Sequence, residues 1–474
     1  MLGIILIATC SIFSTAAVFS PKVYKLPNGM TVVVVKNSIS KTIKVGFAVG
    51  VGGADSISYE VYGVPHFLEH LLFTGSKNYP GDAFRRLVTE NGGSTNAYTT
   101  HDNTVYYTKI GADKLELMFK LYSDILKNLE ITDEKVKAEI GVVLSERQMR
   151  YEANPFGRIM EAHRRSLYHQ HPYGFPNIGY PHHIQNYSRE AAQAQFDKYY
   201  RCPENITLII SGNCDPEQVY QMAKKYFGDI PAKDLPKRQR PQELDRKGIV
   251  THLKQESDRI AMVSYWLSYH APNHRGPNAK HFFPLLLLEQ IMAGNETMRM
   301  YNKLVRKDKL ATEASTFYNS NSYDENTEFT FNVTLAPGKD LKKLKKALAE
   351  MIVKISTELV TEEELDQAKQ DILASLAFAK DGNDSAFSYF TLLSIGFTVD
   401  DIENHPESIN KVTREDVLAA AKFVFADKGP VATMTVYPKP KADKAATTKT
   451  LDTATKKTKS KKQEHNAKIN KSKK

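Results

Sequence analysis

The sequence has little cysteine, a short apolar run at its start, and no charge imbalance in its body. Cys10, Cys202 and Cys214 are the only cysteines among 474 residues, too few for a disulfide-built scaffold. Residues Ile206 to Ile210 read as a strand between Cys202 and Cys214. An extended segment of that length holds the two Cα atoms beyond the ~7 Å limit for a bridge, so free thiols are expected. The apolar run over residues 2–13 has 12 residues, whereas a membrane-spanning helix needs about 20. Followed by Ser14-Thr15-Ala16-Ala17, it has the length and flank of a signal peptide. No lysine or arginine precedes Lys22, which argues against an Arg-rich mitochondrial presequence. The expectation is a signal peptide over residues 1–17 and export, to a bacterial periplasm. An uncleaved segment anchored in the inner membrane is the alternative.

The formal net charge of +10 belongs to one end of the chain. Residues 438–474 hold 13 lysines and no arginine, against Asp443, Asp452 and Glu464, which leaves the rest of the chain neutral. The basic balance therefore describes a tail and not a nucleic-acid-binding fold. That tail lacks hydrophobic periodicity and reads as disordered. Its plain role is a solubilising extension; weak contact with an anionic membrane surface is the alternative.

The remaining chain is written twice. Thr132-Asp133-Glu134 opens an amphipathic helix, and Thr361-Glu362-Glu363 opens another 229 residues later. Ser188-Arg189-Glu190 and Thr413-Arg414-Glu415 each start a helix that leads to a strand. Strands are expected at 32–35, 44–51, 104–108, 260–266, 328–334 and 431–436. Long helices mixed with strands in each half predict an α+β fold. Two homologous domains are expected, each a mostly antiparallel sheet packed with helices: a catalytic domain over 18–233 and a degenerate one over 257–437. Residues 234–256, with clustered charges around Pro236 and Pro241, read as the linker.

His66-Phe67-Leu68-Glu69-His70 carries the chemistry. On a helix His70 lies about 40° round from His66, and Glu69 about 60° to the other side, so all three share one face. Two histidines can grip one zinc ion while the glutamate acts as a general base. The order is inverted relative to His-Glu-x-x-His and defines its own class of zinc peptidase. A third protein ligand is needed. Glu139 and Glu146 on the Thr132 helix are the candidates, on one face but about 10 Å apart along the axis. One should bind the ion and the other orient a ligand.

Beyond this motif the chain resembles the pitrilysin/insulinase family of inverted zinc peptidases, particularly its two-domain bacterial members similar to mitochondrial processing peptidase. The similarity runs from about Tyr24 to Tyr437. It rests on Gly63-Val64-Pro65, Phe73-Thr74-Gly75, Gly92-Gly93-Ser94-Thr95-Asn96-Ala97, Val142 to Arg147 and His171-Pro172-Tyr173. The resemblance implies one zinc per chain held by His66, His70 and Glu146, with Glu139 behind them and Glu69 as the base. It implies Asn96 and Ala97 on a sheet edge that pairs with an extended substrate, and Phe73 beside the substrate pocket. The implied activity is zinc-dependent endopeptidase cleavage of extended or unfolded peptides. A non-catalytic scaffold or partner subunit of the same fold is the rival.

The second half reads as a copy that lost this chemistry. Leu286, Glu289 and Gln290 stand against His66, Glu69 and His70, and Ala368 and Ser375 against Glu139 and Glu146. Only the N-terminal domain is therefore expected to carry a metal site. Family members carry an Arg and a Tyr seven residues apart in a half without metal; here Arg306 is followed six residues later by Thr312. The resemblance then implies a homodimer, or a heterodimer with a similar non-zinc subunit that supplies the Arg/Tyr pair.

Overall fold

The computed structural model describes residues 18–235, 237–244 and 248–439. The expected signal peptide, Cys10 and all but the first two residues of the lysine-rich tail lie outside them. Among the described residues no helix is long and apolar enough to cross a membrane.

Two mixed, mostly antiparallel sheets organise the chain. The first contains β1 (Lys22–Lys25), β2 (Thr31–Lys36), β3 (Thr42–Val49), β4 (Ser94–Thr99), β5 (Thr104–Gly111) and β6 (Ile206–Gly212). Their order is β1-β2-β6-β3-β5-β4, with β2 and β6 the parallel pair. The second contains β7 (Thr251–Ser257), β8 (Ser264–Ala271), β9 (Ala311–Tyr318), β10 (Thr327–Leu335) and β11 (Ala432–Pro438). Its order is β7-β11-β8-β10-β9, with β7 and β11 parallel. Val32 to Val35 are buried on both faces, as a central strand of β-branched residues should be. β4 instead alternates exposed and partly buried positions and lies at the sheet edge. Cys202 and Cys214 flank β6 as free thiols.

The helix starts follow from their capping residues. Thr132 Oγ1 accepts the Lys135 amide and opens Asp133–Arg147. Thr361 and Glu364 form a reciprocal capping box at the start of Glu362–Lys380. Ser188 Oγ accepts the Ala191 amide at the start of Arg189–Tyr199, and Thr413 forms a capping box with Asp416 at the start of Arg414–Ala421.

The halves exchange helices. Helix Asn383–Phe390 of the second half lays Phe387 and Phe390 on Val33, Val35, Ala48 and Ile209 of the first sheet. Helix Pro155–Leu167 of the first half lays Ile159 on Trp266, Met434 and Val436 of the second. The 229-residue offset pairs these two helices, so the exchange is reciprocal. Each buried Phe contributes about 1.5–3 kcal/mol to this docking.

The linker reading needs correction. Residues 251–257 are strand β7, paired along its length with β11. Upstream, Arg238 and Arg240 are not solvated linker charges. The Arg240 side chain is 3% exposed. Its guanidinium donates to Asp55 at 2.8 and 3.0 Å, to Asp102 at 2.7 Å, and to Asp324. Asp55 and Asp102 belong to the first half and Asp324 to the second, so one arginine fastens both.

Candidate metal centre

The histidines stand on the helix Val64–Leu71. Gly63 precedes it at φ +94°, and a Cβ there would lie 2.5 Å from Tyr187 Oη and 2.7 Å from Gly179 N. Only glycine allows both that backbone and that approach. Pro65 occupies the first turn, where its missing N–H costs no hydrogen bond. The helix sinks into the first core through Val64, Phe67, Leu68 and Leu71, leaving His66 7% and Glu69 9% exposed.

Glu146 comes from the helix Asp133–Arg147. Its Oε2 lies 3.2 Å from His70 Nε2 and 3.5 Å from His66 Nε2. Among the described residues, His66, His70 and Glu146 form the group whose ligand atoms all fall within 4.8 Å of one another. Zinc bonds of ~2.0–2.1 Å in a tetrahedron imply ligand separations of ~3.3 Å. Two imidazole nitrogens and one carboxylate oxygen at these spacings fit such an ion. Glu139 Oε2 sits 3.3 Å from His70 Nδ1, on the side of the ring away from Glu146. The two glutamates thus grip opposite nitrogens of one ring.

Burial pushes the His66 pKa down to about 3, against the pull of Glu146. His66 is therefore neutral, the form in which imidazole can donate to a metal. Burial also disfavours charge on His70, but hydrogen bonds to Glu139 and Glu146 outweigh it and raise that ring to about 9. Burial pushes Glu69 up to about 7, opposed by a hydrogen bond from Thr99 Oγ1 to Oε2 at 2.5 Å.

Asn96 and Ala97 lie on β4, whose outer side has no strand neighbour among the described residues. Phe73 is 8% exposed and packs on Phe84 and Tyr106, with the Arg85 guanidinium over its ring. Little of that ring is open to a ligand. Arg306 is exposed and pairs with Glu296 and Asn302, while Thr312 lies on β9.

Two further residues belong to the site. Arg150 Nε bonds Glu146 Oε1 at 2.8 Å and fixes the other carboxylate oxygen. Its i+4 spacing from Glu146 was legible in the sequence. Thr99 was not, because its contact with Glu69 bridges a strand and a helix 30 residues apart.

Residues 31–177 match the insulinase family (peptidase family M16), and residues 186–372 match the peptidase M16 inactive domain. The zinc protease PqqE of Helicobacter pylori is 26% identical over 332 residues, 67% of this chain and 72% of that one. The uncharacterized zinc protease YmxG of Bacillus subtilis is 22% identical over 410 residues, 86% and 96% of the two chains. Among solved structures, a protease from Helicobacter pylori superposes with TM-score 0.78 at 22% identity, over 89% of this chain and 99% of that one. Pitrilysin superposes with TM-score 0.73 at 18% identity, but over 45% of its own length. Two family domains in tandem and a fold shared along the described chain agree: the protein belongs to the M16, or insulinase, family of peptidases.

Proposed function

We propose that this chain is a zinc-dependent endopeptidase that cleaves extended or unfolded peptides. The convergence of His66 Nε2, His70 Nε2 and Glu146 Oε2 beside a buried Glu69 carries the reading. The relatives named zinc proteases support it. Zinc, when bound, supplies a Lewis acid that polarises a carbonyl and acidifies water. His66, held neutral by burial, offers its Nε2 to the ion. Glu139 holds His70 Nδ1 and so aims Nε2 at the same point.

Glu69 is the base. Thr99 occupies Oε2, leaving Oε1 to take a proton and hand it to the leaving amine. Burial pushes its carboxyl up from the usual carboxylate range, the direction that makes it a better proton acceptor. The free side of β4, with Asn96 and Ala97, is where an extended substrate pairs through its main chain. With Thr312 in place of a tyrosine, a second subunit supplies the Arg/Tyr pair, and the chain works as a dimer outside the cytoplasm.

The test is zinc content together with cleavage of reduced, carboxymethylated lactalbumin, for the wild type and Glu69→Gln. Both proteins should bind about one zinc per chain, and the variant should lose at least about 100-fold in cleavage rate. A wild type without zinc, or equal cleavage by both, would overturn the proposal.

A further inference from the structure

The second half has lost the metal ligands but kept the space they occupied. Leu286, Glu289 and Gln290 on the helix Phe282–Ala293 stand where His66, Glu69 and His70 stand in the first half, and Ser375 stands where Glu146 does. All four line one cavity of about 330 Å³. Its walls are largely apolar, from Phe282, Leu286, Ile372, Leu376, Leu392 and Phe397. That volume is at the small end of the range for small-molecule sites, and apolar walls with a few convergent polar groups are their usual make-up.

Glu289 is a carboxyl of this cavity that has no cationic partner among the described residues. Its Oε1 accepts the Tyr318 amide at 2.9 Å, just as Glu69 is held by the edge strand of the other sheet. Burial, opposed by that amide, pushes its carboxyl up to about 7, and no cationic side chain acts on it among the described residues. The other three titratable groups in the lining do not compensate: burial raises the Tyr389 phenol and keeps it neutral. Asp401 Oδ2 accepts from the Thr398 backbone and hydroxyl, and burial holds His405 down at about 4, hence neutral. A half-buried carboxyl without a cation is costly. A ligand ammonium group would satisfy it, and an anionic head would be repelled.

We propose that this cavity is a second, non-catalytic binding site, for a small apolar molecule that carries one primary amine, with the amine on Glu289 and the apolar body against Leu286, Leu376 and Leu392. One wall, Ser388, Tyr389 and Leu392, comes from the segment that covers the first sheet. The site is therefore tested in the full chain.

The probes are phenylbutylamine and phenylbutyrate, which share one apolar body, titrated by calorimetry into the zinc-loaded protein. The amine should bind at least about tenfold more tightly than the acid, as a charge-assisted hydrogen bond predicts. Glu289→Gln should remove that preference. Leu286→Trp, which fills the cavity, should abolish binding of both while zinc content and peptide cleavage stay at wild-type levels. Equal binding of amine and acid to the wild type, or no binding, would overturn the proposal. So would amine binding that survives both substitutions, because the amine would then sit elsewhere, the metal centre included.

Discussion

Thr99 Oγ1 donates to Glu69 Oε2 across 2.5 Å, so the outermost strand of the first sheet holds the carboxylate of the histidine helix. The strand proposed to pair with substrate and the proposed base are thereby one mechanical unit. Thr99→Val should remove a hydrogen bond to a charged group worth about 1.5–3 kcal/mol, hence tenfold or more in kcat, with KM and zinc content little changed. Thr99→Ser should restore most of the rate. A valine variant as fast as the wild type would show that Glu69 needs no such support.

Glu139 reaches the His70 nitrogen that faces away from Glu146. Outer partners of metal-bound histidines commonly contribute 10–100-fold in affinity. Glu139→Gln should therefore lower zinc affinity by about that factor in competition with a chelator, while the fold persists. Unchanged affinity would leave Glu139 with no part in holding the ion.

Arg240 is surrounded by Asp55, Asp102 and Asp324. Arg240→Met would remove the closest cation from these carboxylates, leaving the more distant Arg238 beside Asp55 and Asp102 and His171 beside Asp324. Breaking a buried charge cluster by removing one partner costs about 3–5 kcal/mol. Urea unfolding should register a loss of that size, and a change under about 1 kcal/mol would show that water reaches the site freely.

His163 and His101 flank Arg164, and in both burial is the main cause, with that guanidinium second, of a pKa lowered from 6.5 to about 3. A histidine depressed on folding binds its proton more readily in the unfolded chain. Their contribution to stability is therefore complete above about pH 6.5 and is lost as the pH falls toward 3. Between pH 6.5 and 4, His163→Gln should make the fall in melting temperature shallower than in the wild type. Equal slopes for the two proteins would remove His163 from the account.

β11 ends at Pro438, so deleting residues 440–474 leaves both sheets whole. The truncated chain should cleave unfolded substrate at the wild-type rate, measured as initial velocity at fixed zinc. A large loss would assign the lysine-rich tail a part in catalysis.

Local chemistry was readable directly from the residues. Thr132, Thr361, Ser188 and Thr413 each start the helix their neighbours promised, because a cap acts over three residues. The strands from Val32, Lys44, Thr104 and Glu328 came from β-branched and aromatic runs. The charged stretch before residue 256 misled. Its arginines look solvated by composition, yet Arg240 is buried because three aspartates, each more than 80 residues away in sequence, meet around it. The alternation of β7 resembles a polar linker because only one of its residues, Ser257, is buried.

The sequence by itself determined that two histidines and a glutamate share one helical face, since 3.6 residues per turn dictates that much. It also showed that the second half had lost both histidines and kept only Glu289 of the three. Which glutamate oxygen meets which imidazole nitrogen, that Thr99 holds Glu69, and that the lost site survives as a cavity around Glu289 were decided by tertiary structure alone. Those relationships depend on how sheet order and helix packing set distances between elements far apart in the chain, and no local period encodes them.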